Sequence, residues 1–60
     1  MEYSVGDLVR VMQEYFADDI GVIVGYAGYE QGCHWYKVSD DKGTMAYYPT
    51  RHLTPMDPSQ

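Results

Sequence analysis

Three things are scarce in this chain: cysteine, basic residues and long apolar runs. Cys33 is the only cysteine among 60 residues. No internal disulfide can form, which points to a reducing compartment, and a single thiol cannot build a Cys-x-x-Cys zinc knuckle. Four basic residues stand against nine acids, for a net charge of −5. Arg10, Lys37, Lys42 and Arg51 are scattered rather than clustered. The basic patch of a nucleic-acid binder is missing, and the overall field repels polyphosphate at long range. No apolar stretch approaches the roughly 18 residues needed to span a bilayer as a helix. The first residues lack the basic segment followed by an apolar run that makes a signal peptide. The chain is therefore expected to be a small cytoplasmic protein, complete from Met1, with no membrane partner.

Small size bounds the rest. A chain of 60 residues supports one domain, and at this length only roughly 60% of the unfolded surface is buried on folding. The core has to be compact, or a partner has to add to it. Glycine and turn-forming residues divide the sequence into short strands. Leu8-Val9-Arg10-Val11-Met12 follows a Gly6-Asp7 turn and alternates, with Val9 and Val11 on one face. Leu8, Met12, Tyr15 and Phe16 also fit a helical spacing, but Val9 and Val11 favour a strand. Ile20-Gly21-Val22-Ile23-Val24 places Ile20, Val22 and Val24 inward, with Gly21 and Gly25 as bulge or bend points. His34-Trp35-Tyr36-Lys37-Val38 points Tyr36 and Val38 inward and Trp35 and Lys37 outward. Asp40-Asp41-Lys42-Gly43 is a hairpin turn, Gly43 suiting a positive φ. Thr44 to Tyr48 forms a strand that stops at Pro49, with Tyr48 inward and Tyr47 outward. Pro49 to Leu53 has room for one short helical turn, and Thr54 to Met56 for a last strand. Gln13 to Asp19 and Ala27 to Gly32 are left as loops.

Five short strands in so small a chain predict an all-β fold, a single antiparallel barrel with one short helical turn before the last strand. The barrel should span residues 1–57, with 58–60 as a frayed tail. Its core is predicted to hold Val9, Val11, Ile20, Val22, Val24, Tyr36, Val38, Ala46, Tyr48 and Leu53.

The run Gly6-Asp7-Leu8-Val9-Arg10-Val11, then Ile20-Gly21-Val22-Ile23-Val24, then Tyr36-Lys37-Val38-Ser39-Asp40-Asp41 resembles the prokaryotic and phage SH3-like barrels. Ala46-Tyr47-Tyr48-Pro49-Thr50-Arg51-His52-Leu53 is similar to the last part of eukaryotic SH3 domains. The likeness runs from about Val5 to Asp57. It implies an SH3-like five-stranded barrel. Related barrels occur as small accessory subunits of electron-transfer complexes and as RNA-binding ribosomal modules, and a free-standing acidic copy looks more like a phage or bacterial accessory protein. The Ala-Leu-Tyr-Asp-Tyr run of the eukaryotic domains is missing, and His52 stands where they place a tyrosine. Proline-motif binding therefore does not carry over.

The residues point the same way. Seven tyrosines, Trp35 and Phe16 are more aromatic surface than such a core can hold. Tyr15, Phe16, Trp35, Tyr47, Pro49 and His52 are expected to gather on one side as a binding face, rigid aromatics giving large contacts at low entropic cost. Asp18 and Asp19, with Glu14 and Glu30 near the same rim, would steer a basic partner surface. The competing readings are satellite packing for the aromatics and solvated loops for the acids. Catalysis is not expected. Cys33 and His34 are neighbours on a strand and point to opposite faces, and no third orienting group accompanies them. The same residues have the wrong spacing for a closed zinc site. No cofactor motif is present. The reading is a non-catalytic protein-binding module or a small acidic inhibitor, with homo-oligomeric assembly as the alternative and RNA binding by a small barrel as the second.

Overall fold

The computed structural model describes residues 3–13 and 17–56. Tyr15, Phe16 and Glu14 of the expected binding face, and the tail from Asp57, lie outside the described residues. The fold is all-β: β1 (Leu8–Val11), β2 (Asp19–Glu30), β3 (Cys33–Asp40), β4 (Met45–Pro49), one 3-10 turn (Thr50–His52) and β5 (Leu53–Pro55). All pairings are antiparallel, in the order β4-β3-β2-β1-β5. The hydrogen-bonded ladder does not join β4 to β5. The loss of sheet edges expected of a closed barrel is therefore not reached through backbone pairing, and β4 and β5 are edge strands.

Both predicted turns are built by the expected chemistry. Ser4 and Asp7 tie off the approach to β1: the Ser4 N–H donates to Asp7 Oδ2 at 2.9 Å and the Asp7 N–H to the Ser4 carbonyl at 3.0 Å. Gly6 then donates to the Ile23 carbonyl at 2.8 Å, which locks this turn onto β2. In the β3–β4 turn, Asp40 Oδ1 accepts from the N–H groups of Lys42 and Thr44, each at 2.9 Å, and Gly43 takes φ +86°.

The core is Val9, Val11, Ile23, Tyr36, Val38 and Leu53, with Tyr3 and Tyr48 packed against it. Here the structure corrects the sequence reading of β2. Ile23 is 1% exposed and Ile20 is 50% exposed, while Val22 and Val24 are half-buried. Ala46 is also only half-buried. The physical reason lies in β1. Val9 pairs directly with Gly21, and cross-strand partners share a face. With Val9 inward, Gly21 and Ile23 turn inward too, and Ile20 and Val22 turn out with their partners Arg10 and Leu8.

The segment expected to loop between Ala27 and Gly32 is strand instead. β2 and β3 form one long hairpin, and Tyr29 pairs with His34 and Glu30 with Cys33. The turn is only Gln31-Gly32, at φ +55° and +83°. Two successive positive φ values are the mark of a type I′ turn, whose twist matches the flanking strands. Glutamine is poorly suited to this region, where a Cβ costs roughly 1–2 kcal/mol. Gln31→Asn should therefore raise stability by about 0.5–1 kcal/mol, read as a higher urea midpoint at unchanged slope. An unchanged or lower midpoint would contradict this turn geometry.

Two extra residues sit in β2. The register slips between Ile23 and Gly25 and again between Tyr26 and Gly28, so Val24 and Ala27 are bulged. Gly25 was expected at a bulge and flanks one. Gly21, also expected there, pairs in register with Asp40 and is a site of close approach instead.

Candidate functional site

The bulges prepare a groove on the outer face of β2, β3 and β4. After each slip β2 presents a glycine to that face: Gly25 opposite Lys37 and Gly28 opposite Trp35. Neither has any atom within 4 Å of where a Cβ would stand. The bare backbone leaves space beside the side chains of β3. Period-two alternation then lines the other wall, because Trp35 and Lys37 share a face and Lys37 pairs with Tyr47 of β4. The resulting groove, about 490 Å³, is lined by Trp35, Lys37 and Tyr47, by Gly25, Tyr26 and Ala27 of β2, and by Glu30 and Gln31 at the turn.

Each wall is held. The Trp35 indole N–H donates to the Glu30 carbonyl at 2.9 Å, which fixes the ring across the hairpin. Pro49 pairs with Trp35 in the ladder and is buried. Lys37 Nζ lies 5.9 Å from the centre of the Tyr47 ring, at the outer range of a cation–π contact. Tyr47 is 59% exposed. The Glu30 carboxylate makes no hydrogen bond or ion pair among the described residues.

The expected binding residues are thus partly assembled. Trp35 and Tyr47 come together, with Pro49 paired to Trp35 in the ladder. His52 is exposed in the 3-10 turn, where its carbonyl accepts from the Met12 N–H at 2.9 Å. Asp18 and Asp19 are exposed and engage Gln13: Asp18 Oδ1 accepts its backbone N–H at 3.4 Å and Asp19 Oδ2 its side-chain amide at 3.3 Å. Asp19 opens β2 opposite Val11, whereas the groove begins at Gly25 and follows that strand to its other end. These two acids therefore do not line it. The sequence reading missed Tyr26, Ala27 and Gln31 as lining residues, since a loop from Ala27 onward hid the extension of β2. The available signal was Gly28 and Glu30, which share a face; the Ala27 bulge turns Tyr26, the partner of Tyr36, to the other face.

On the opposite face a ring cluster continues the core outward. Tyr26 and His34 share a 2.8 Å hydrogen bond between the hydroxyl and Nδ1. Tyr29 stacks edge-on against His34 at 4.9 Å, and Tyr26 against buried Tyr36 at 5.4 Å. Cys33, half-buried, accepts an N–H from Arg51 at 3.1 Å. His34 and Cys33 thus engage different partners. Among the described residues no group of three His, Cys, Asp or Glu side chains is placed to hold a metal ion, and no helix is long and apolar enough to cross a membrane.

Comparisons with family models, curated proteins and solved structures find no match for this chain. The class is defined by the fold: all-β, five antiparallel strands with a 3-10 turn before the last.

Proposed function

We propose that this chain is a non-catalytic protein-binding module of SH3-like build, an adaptor, accessory subunit or small acidic inhibitor, and that it binds through the groove at Trp35 and Tyr47. The strand order β4-β3-β2-β1-β5 and the 3-10 turn ahead of β5 support the SH3-like part of the reading. The observation that carries the binding part is the groove itself. An indole fixed by its own N–H bond and a largely exposed phenol stand on one face of a rigid hairpin, beside backbone that two bulges have cleared of side chains. Rigid aromatics in a preformed concavity lose little entropy on binding.

Tyr47→Ala is the discriminating variant, because the side chain is exposed and its loss leaves the core intact. Affinity capture with the purified protein should recover a stoichiometric partner with wild type. With Tyr47→Ala at unchanged melting temperature, recovery should drop at least about tenfold, the scale of an interface hot spot. Equal recovery with both would rule the groove out as the contact.

Homo-oligomeric assembly has its own support. Leu8, Ile20 and Met45 are exposed, and Leu8 and Val22 pair across the outer face of β1 and β2. Sedimentation over a hundredfold concentration range separates the two readings: a monomer throughout favours the module, and a concentration-dependent dimer favours assembly.

A further inference from the structure

We infer that the groove receives a basic side chain, an arginine or lysine on an extended segment of the partner, and that Lys37 occupies its place over Tyr47 until that segment arrives. This rests on the binding reading above and adds the chemistry of the occupant.

The groove offers π-surface and a carboxylate. The Trp35 N–H is already spent on the Glu30 carbonyl, which leaves its ring without a polar donor for a ligand. Tyr47 presents an exposed ring. The face of an aromatic ring is electron-rich and attracts a cation, and a guanidinium can stack on it as well. One cation is already drawn there: the Lys37 ammonium, 5.9 Å from the ring centre. Glu30 lines the same groove with a carboxylate that has no partner among the described residues. The chain's charge of −5 adds a field of the same sign. Each of these terms favours a positive ligand group. Lys37 alone opposes it, by repulsion and by its place at the Tyr47 ring. An incoming basic side chain has to displace that ammonium, so Lys37 lowers the affinity of the site it lines.

This predicts an unusual sign. Removing Lys37 tightens binding of a basic ligand, and removing a lysine elsewhere does not. Lys42 lies in the β3–β4 turn, outside the groove, and its loss makes the same change in net charge.

The test is an amide and indole NMR titration of the whole protein at low ionic strength. The probes are acetylated, amidated Gly-X-Gly tripeptides in which X is arginine, lysine, citrulline or glutamate, with single-stranded oligouridine as a further probe. The arginine and lysine peptides should shift the Trp35 indole and the Tyr47 amide saturably. Citrulline, which keeps the shape and loses the charge, should bind about two- to fivefold more weakly, the scale of an exposed cation–π contact. Lys37→Met should tighten the arginine peptide by a similar factor, Lys42→Met should leave it nearly unchanged, and Glu30→Gln and Tyr47→Ala should each weaken it. Trp35→Ala is not needed, which avoids a variant that perturbs the hairpin. Citrulline binding as well as arginine, equal effects of the two lysine variants, or stronger binding of the glutamate peptide or the oligouridine would overturn the inference. Failure of every tripeptide, with the captured partner still lost on Tyr47→Ala, would also overturn it while leaving the binding module standing.

Discussion

Ile23→Ala should cost about 2–4 kcal/mol of folding stability, and Ile20→Ala no more than about 0.5. The two isoleucines sit three residues apart on β2 and differ only in the face they occupy. Ile23 is 1% exposed and belongs to a core of six buried side chains, so truncation removes apolar contact and leaves a cavity that its neighbours cannot fill. Ile20, 50% exposed opposite Arg10, leaves no such hole. A domain this small holds only about 3–5 kcal/mol in reserve. The first variant should therefore melt roughly 8–30 °C lower, at about 4–8 °C per kcal/mol, or be partly unfolded at room temperature. Thermal melts followed by Trp35 fluorescence decide the matter. Equal losses, or a larger loss at Ile20, would mean that β2 presents the opposite face to the core.

Gly21→Ala should be nearly as damaging, although it adds one methyl group. A Cβ at Gly21 would lie 2.5 Å from Val38 Cγ1 and 2.9 Å from the Ser39 carbonyl oxygen. Neither atom can swing aside, since Val38 is buried and β-branched and the Ser39 carbonyl belongs to a paired strand. The β2–β3 ladder has to part, at a cost of about 1–3 kcal/mol for overpacking. Gly25→Ala is the internal comparison. Its Cβ meets nothing within 4 Å and its φ is not in the left-handed region, so the change should be neutral or stabilising by up to about 1 kcal/mol. Urea midpoints for the two variants should move apart. A tolerated Gly21→Ala would contradict the close approach of β2 and β3.

These two positions also show what the sequence can and cannot disclose. β1, β3, β4, the Asp40 turn, the 3-10 turn and the last strand are legible, because each has one dominant period or a turn residue whose geometry it requires. β2 is ambiguous. It carries apolar residues in both phases, and counting them favours Ile20, Val22 and Val24. The phase is set instead by pairing with β1, where Val9 meets Gly21. The outer face keeps apolar residues such as Leu8 and Ile20, and composition then stops reporting direction. The length of β2 is hidden for a related reason. Gly28 and Gly32 read as loop, but one follows a bulge and the other closes a two-residue turn. The groove inherits both difficulties. Trp35 and Tyr47 are readable by alternation on β3 and β4, while the wall from Gly25 to Ala27 depends on two bulges, of which the sequence marks only the one beside Gly25.

The most direct test of the central claim is an amide shift map of the labelled protein bound to its captured partner. The account predicts that the perturbed residues cluster on Gly25 to Ala27, Trp35, Lys37 and Tyr47. A cluster on Leu8, Ile20 and Val22, with the groove silent, would contradict it and move the contact to the opposite part of the sheet.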